Sequence, residues 1–264
     1  MPVISISSDF GLQDGNTGVM KGVIYGICPD AKIVDMTHLI GPQDVRQIAY
    51  VLARQVFYFP ENSVHIVVVD PGVGTARRPI AVRAGTQLFV GPDNGFLTLI
   101  YERAEKEGWP LQIVHTNRKE YWLPQVSDIF HGRDIFSPVG AYLAAGVSLG
   151  DMGEVVTDPV RLDLPRPQRD GASVRGEIVR VDHFGNMISN IPMEMLSDID
   201  CARVDLKGKK LDRIWRTFGE QPVGTLMALP CSTGYLMVSV NQGSASLEIT
   251  GERGDTIVVS DCNN

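Results

Sequence analysis

From residue 1 to about residue 157, short apolar runs alternate with stretches of helical period. VISIS (3–7) reads as a strand, and Val19, Met20, Val23, Ile24 and Ile27 then share one side of a helix that Cys28-Pro29-Asp30 brings to an end. KIVDM (32–36) is a second strand, and Asp44 is a good N-cap for a helix with Val45, Ile48, Ala49, Leu52 and Val56 on one face. The almost unbroken β-branched run VHIVVVD (64–70) suits a strand buried on both faces. IAVRA and LFVGP follow as a hairpin-like pair, then a helix over about 94–107, the strand QIVHT (112–116) and a last helix carrying Ile135, Val139 and Leu143. Strands alternating with helices predict an α/β fold whose mainly parallel sheet has helices on both sides.

The texture changes at DPVRLDLPRPQRDGAS, which has three prolines and no period and reads as a linker. Beyond it VRGEIVRVD, NMISNI, ARVDL, TLMALP, YLMVSV, SLEIT and DTIVVS are short, β-rich and punctuated by Gly, Pro, Ser and Asp, with PMEML the one helical stretch. This predicts a second, smaller antiparallel barrel or sandwich. The expected boundaries are 1–157 for the α/β domain, 158–172 for the linker and 173–264 for the β domain. A chain of 264 residues is long enough to bury one sizeable core and one smaller one.

Composition narrows the function. A net charge of −7 argues against a nucleic-acid partner, which needs clustered Lys and Arg to neutralise phosphates. No run approaches the roughly 20 apolar residues of a membrane helix. VISIS follows Met1-Pro2 without the basic and apolar regions of a signal peptide, so no membrane partner and a cytoplasmic location are expected. Cys28, Cys201, Cys231 and Cys262 lack CxxC spacing, which excludes a thiolate zinc site and favours reduced cysteines over a disulfide framework.

In open α/β sheets ligands lie beyond the carboxyl ends of the strands. There the chain places SSDFGLQDGN, THLIGPQD and DPGVGTARR, with FHGRD before the last helix, and four such polar loops point to one shared site. GVGT lacks the spacing of a phosphate loop, so Gly72 and Gly74 read first as a tight turn. Asp70 either caps that turn or enters the site, and spacing does not say whether Arg77 or Arg78 points inward. Asp9 and Asp14, five residues apart, suit either a divalent cation or recognition of hydroxyl and ammonium groups, and lack the regularity of a calcium loop. His131 is a base or a helix-start residue. In VDHFGN, Phe184 offers a stacking face and Asn186 a paired donor and acceptor, unless the motif is simply an exposed β-turn.

Taken together, SSDFG-QDGNTG-MKG, ICPDAKIVDMTH, VVVDPGVGTARR, GPDNG, FHGRDIFSPV, DHFGN and GYLMVSVNQGSA make the chain resemble the S-adenosyl-L-methionine (SAM) hydroxide adenosyltransferases, relatives of the fluorinating and chlorinating SAM enzymes. The resemblance runs in order along nearly the whole chain. It implies an α/β domain joined to a C-terminal β-barrel, and a reaction in which water or hydroxide displaces methionine at ribose C5′ of SAM to leave adenosine. It implies a catalytic set of Asp70, Arg77 and His131, and so selects Arg77 over Arg78. Asp9 is expected on the ribose hydroxyls, Asp14 with Asn16 near the methionyl end and Asp182 on the ammonium group. Phe184 and Phe218 are expected to stack on adenine, with Asn186 reading its edge. Thr233 stands where the halogenating relatives use an arginine for the methionine carboxylate, so Ser232 and Thr233 are the expected carboxylate contacts. The resemblance further implies a homotrimer with the ligand at the subunit interface, and no metal or other cofactor.

Asp70 and Val73 replace the tyrosine and threonine that help hold a halide in the halogenating relatives. A carboxylate repels an incoming anion but can orient or deprotonate water, so hydrolysis is favoured over halogenation. The rival readings are a halogenase, a non-catalytic SAM or adenosine binder, and a metal-dependent phosphohydrolase built on Asp9, Asp14, Asp70 and His131.

Overall fold

A computed structural model describes residues 1–262, and the chain divides into one unit over Met1–Leu162 and a second from Asp163 onward. The first unit runs β1 (Val3–Ser8), α1 (Asn16–Ile27), β2 (Lys32–Thr37), α2 (Val45–Gln55), β3 (Val64–Val68), β4 (Pro79–Ala84), β5 (Gln87–Pro92), α3 (Thr98–Glu107), β6 (Leu111–His115), α4 (Ser137–Ala144) and β7 (Glu154–Val155). Its sheet has the order β2-β1-β3-β5-β4-β6-β7. β2, β1, β3 and β5 pair in parallel, and the β4–β5 hairpin reverses the chain so that β4, β6 and β7 continue antiparallel.

Burial explains the nearly unbroken apolar run of β3. Val64, Ile66 and Val68 face one core with Met20 and Ile24 of α1 and Val139 and Leu143 of α4. Val67 and Val69 face a second core with Ile48 and Leu52 of α2 and Ile100 and Tyr101 of α3. Both faces of the strand are therefore covered, as expected for parallel sheets. Asp44 caps α2 as its sequence position suggested, accepting the Gln47 N–H at 2.9 Å. Two expectations shift. Val19 is 48% exposed, so the buried stripe of α1 is Met20 and Ile24. The third helix starts at Thr98 rather than near 94, because the Asn94 side chain donates to Val69 O and accepts the Phe96 N–H, holding a turn there.

One polar residue interrupts β3. His65 is fully buried, with Nδ1 2.6 Å from Ser5 Oγ and Nε2 3.1 Å from Gln87 Oε1. Burial pushes its pKa down to about 4 against the opposing hydrogen bond to Gln87, so the ring is neutral at neutral pH. Past β7 the chain stays fastened to the same unit. Asp158 pairs with Arg78, the Val160 N–H donates to Asp93, and the Leu162 N–H donates to Thr98 Oγ1 at 2.8 Å.

The second unit contains β8 (Gln168–Asp170), β9 (Ser173–Val181), β10 (Met187–Pro192), β11 (Ala202–Leu206), β12 (Lys209–Leu211), β13 (Leu226–Pro230), β14 (Tyr235–Val240), α5 (Ala245–Glu248) and β15 (Thr256–Asp261). Its strands follow the order β12-β11-β15-β9-β10-β14-β13, with β8 also on β9, and all these pairs are antiparallel. A bridge from Ile214 to Ala228 joins the segment after β12 to β13, so the sheet nearly closes into a barrel around Val174, Ile178, Leu236 and Val259. SLEIT is not a strand. Ser244 caps a single helical turn by accepting the Leu247 N–H, and α5 takes the first three of those residues.

The cysteine expectation is overturned. Cys201 and Cys262 form a disulfide with their Cα atoms 5.4 Å apart. The β11–β15 ladder sets Ala202 opposite Asp261, so the next residue on each strand steps off the end of the ladder beside its partner. Strand register makes this pair, and residue spacing carries no trace of it. Among the described residues, no helix is long and apolar enough to cross a membrane.

Candidate active site

β1 lies between β2 and β3, so the chain runs outward from β1 to β2 and then crosses back to β3 on the other side. This reversal is the switch point at which open α/β sheets leave a crevice beyond the strand ends. The loops after β1 and β3 leave from either side of it and carry Asp9 and Asp70.

After β3, Asp70-Pro71-Gly72-Val73-Gly74 folds into successive turns, with Val73 N–H on Asp70 O and Thr75 N–H on Gly72 O. The Thr75 hydroxyl donates to Gly72 O at 2.6 Å and accepts the Arg77 N–H at 3.3 Å, which turns Arg77 back over the loop. Gly74 has φ +77°, and a Cβ there would lie 2.6 Å from the Asp128 carbonyl oxygen. Only glycine combines that backbone with that approach, so Gly74 lets this loop touch the one that leads to His131.

Arg77 is the hub. Its Nε donates to Asp70 Oδ1 at 3.0 Å, its Nη2 donates to Asp70 Oδ2, and the same Nη2 lies 2.6 Å from His131 Nδ1. The Arg77 and Asp70 side chains are 9% and 5% exposed. A guanidinium only donates, so His131 Nδ1 accepts, and the proton of the neutral ring sits on Nε2. Burial lowers the basicity of His131, and the charge of Arg77 lowers it further against Asp70, Asp134 and Asp128. Arg78 points elsewhere: its Nε and Nη2 donate to Asp93, and its Nη1 donates to Asp158.

His131 precedes a π-helical turn over Gly132–Phe136, a local irregularity common at functional sites. Asp134 anchors that turn. It is fully buried, its carboxylate accepts the Ser127 N–H and two Arg133 donors, and its carbonyl accepts the Leu123 N–H. The loop after β1 presents Asp9, whose Oδ2 accepts the Gln43 N–H at 2.7 Å. Asp14 is exposed, and Asn16 is half-buried as the first residue of α1. Among the described residues, no three or more His, Cys, Asp or Glu side chains group to hold a metal ion. Asp9, Asp14, Asp70 and His131 are therefore not gathered into one such group.

In the second unit Asp182 organises the turn between β9 and β10. Its Oδ1 accepts the Phe184 and Asn186 N–H groups, and its Oδ2 accepts Asn186 Nδ2 at 2.8 Å. Phe184 is 71% exposed, edge-on to His183. Phe218 packs with Trp215, Cys231 and Tyr235 around Ile188, Met227, Leu229 and Met237. Trp215 and Tyr235 were not among the expected site residues, although WRTF and STGY place an aromatic residue three positions from Phe218 and from Ser232. Thr233 Oγ1 lies 3.0 Å from the Cys231 thiol, and Ser232 is exposed.

Family models for the SAM hydroxide adenosyltransferase N-terminal and C-terminal domains match residues 4–153 and 176–258. The chain is 40% identical over 263 residues to the (R)-S-adenosyl-L-methionine hydrolase of Salinispora tropica, covering 98% of each. It is 26% identical to the fluorinase of Nocardia brasiliensis, over 98% of this chain and 96% of that one. Among solved structures, an uncharacterized conserved protein from Thermotoga maritima superposes with a TM-score of 0.90 at 36% identity, over 97% of this chain and 99% of that one.

Proposed function

The chain belongs to the SAM hydroxide adenosyltransferase family, and we propose that it hydrolyses (R)-S-adenosyl-L-methionine to adenosine and L-methionine. The observation that carries the reading is the contact of Asp70, Arg77 and His131 at the carboxyl ends of the parallel strands. In this reaction a water oxygen bonds to ribose C5′ as the C5′–S bond breaks, and the sulfonium leaves as a neutral thioether with the bonding pair. The leaving group needs no acid, so the enzyme has to align and desolvate one water opposite the C–S bond. Each Asp70 oxygen keeps a lone pair beyond its bond to Arg77, and Asp70 accepts the proton of the water. His131, with Nδ1 taken by Arg77, donates from Nε2 to the water oxygen and orients it. Arg77 holds both partners in place and stabilises developing hydroxide charge.

The substrate contacts follow the same division of labour. Asp9 offers its Oδ1 to the ribose hydroxyls, and Asp14 with Asn16 faces the methionyl end. Asp182 meets the ammonium group, Phe184 and Phe218 stack on adenine, and Asn186 reads its edge with the amide N–H not spent on Asp182. Ser232 and Thr233 hold the methionine carboxylate. The working form is a homotrimer. Leu12, Leu39 and Ile129, which are 69%, 71% and 80% exposed on the loops around the site, support a covering partner copy. Halogenation is disfavoured by the carboxylate of Asp70, and the higher identity to the hydrolase than to the fluorinase supports the same choice.

The test is incubation with each sulfonium epimer of SAM in chloride-free, chelator-containing H2(18)O. Adenosine carrying the label at its 5′ oxygen, together with methionine, is the expected result. Intact SAM overturns the reading in favour of a binder, and turnover that returns on adding divalent cations overturns it in favour of a metal enzyme. Light scattering reads the trimer, and a monomer at working concentration removes that part.

A further inference from the structure

We propose that His38, outside the Asp70–Arg77–His131 set, is a positioning residue that staples the loop after β2 to the loop after β1 and thereby aims the Asp9 carboxylate. The proposal rests on the reading of Asp9 as the ribose contact. His38 is 3% exposed at the end of β2, and Ser8, the last residue of β1, is fully buried. His38 Nδ1 lies 2.8 Å from Ser8 Oγ, and its Nε2 lies 2.9 Å from Asp35 Oδ1. Asp35 Oδ2 in turn accepts Lys21 Nζ of α1 at 2.6 Å.

A carboxylate only accepts, so His38 Nε2 donates to Asp35, and Nδ1 is left for the hydrogen bond with the Ser8 hydroxyl. Ser8 Oγ accepts in its turn from the Phe10 N–H at 3.3 Å. Burial pushes the Asp35 carboxyl up, but the hydrogen bonds and charges of Lys21 and His38 outweigh it and hold Asp35 below its ordinary value. The chain therefore keeps its charged acceptor at neutral pH.

Asp9 sits between the two residues that end this chain, Ser8 and Phe10. The same pair of loops is joined twice more, by the Gly11 N–H on His38 O at 2.8 Å and by the Gln43 N–H on Asp9 Oδ2 at 2.7 Å. Gln43 adopts φ 63°, a left-handed conformation that non-glycine residues seldom take. Asp9 is thus fixed through one oxygen and both backbone neighbours, which leaves Oδ1 in a set direction. Ser8, His38 and Asp35 do not form a second hydrolytic triad: the serine is sealed from solvent, and the ring is reversed relative to a serine hydrolase, with Nδ1 on the hydroxyl.

The experiment compares binding of adenosine and 2′,3′-dideoxyadenosine by calorimetry in wild type, His38→Gln, Ser8→Ala and Asp9→Ala, with unfolding midpoints measured alongside. Asp9→Ala is expected to abolish the preference for adenosine. His38→Gln and Ser8→Ala are expected to lower that preference by about threefold to tenfold, the worth of one imperfectly aimed hydrogen bond, while dideoxyadenosine binds as before. Ser8→Ala removes one hydroxyl and keeps the test decisive if His38→Gln does not fold. If Asp9→Ala abolishes the preference but the other two keep the wild-type ratio, or weaken both ligands equally, His38 has no positioning role. If Asp9→Ala leaves the ratio unchanged, the reading of Asp9 falls and the positioning role falls with it.

Discussion

Asp70→Asn separates the electrostatic role of the carboxylate from its shape. The amide fits the same space, but it removes the charge and turns a donor toward the guanidinium that Asp70 engages through both oxygens. With the two side chains 5% and 9% exposed, Arg77 is left as a buried cation without its counter-ion. Breaking a buried pair in this way costs about 3–5 kcal/mol. In a unit the size of Met1–Leu162 each kcal/mol lowers the melting temperature by about 2–4 °C, so the expected fall is about 6–20 °C. Activity should fall further than stability alone implies, because loss of a positioned proton acceptor lowers kcat by about 10²–10⁴. Adenosine release from (R)-SAM, followed by chromatography below the variant's melting temperature, reads the first effect, and scanning calorimetry reads the second. A folded variant with kcat within threefold of wild type would refute the role of Asp70 in the chemistry. An unchanged melting temperature would refute the buried-pair argument.

Three further outcomes are expected. Gly74→Ala meets both the positive φ and the Asp128 carbonyl at 2.6 Å, so it should lose more than about 1 kcal/mol of stability and lower kcat by displacing the loop before His131; wild-type values for both would count against the close approach. His65, at about 4 in the fold against 6.5 when unfolded, leaves the unfolded chain holding more protons between those values. Stability present above pH 6.5 is therefore lost as pH falls toward 4, by up to about 3 kcal/mol, and urea titrations of His65→Gln should show a shallower pH slope. A slope equal to that of wild type would remove His65 as the cause. Cys201→Ser should destabilise the second unit by about 4 kcal/mol, the chain-entropy value for a separation of 61 residues, and reductant should lower the wild-type midpoint to match. An indifferent midpoint would refute it.

What could be read from the sequence is what local pattern controls. VHIVVVD is apolar on both faces apart from His65 and the terminal Asp70 because β3 has a core on each face, and the polar loops mark the strand ends because polar groups there remain near solvent. Asp70, Arg77 and His131 come together because two loops converge, and the motifs supplied their identity while Gly74 supplied the approach. Features set by register or tertiary contact left no local trace. The Cys201–Cys262 bond depends on how β11 meets β15. SLEIT alternates like a strand, yet Ser244 caps it into a helical turn. Asp35 and His38 sit three residues apart at a strand end whose polar loop could be read from the sequence, but only the parallel pairing of β1 with β2 brings Ser8 to them.

Asp35 has a second consequence, in how the molecule behaves at high concentration. It lies on β2, the outermost strand at one side of the sheet, where unpaired backbone groups would otherwise template a strand from another chain. A charged side chain in the middle of such a strand, held there by Lys21, makes stacking of a second copy costly. The carboxylate that holds His38 and Lys21 therefore also guards the sheet edge, and an apolar replacement would favour aggregation through it.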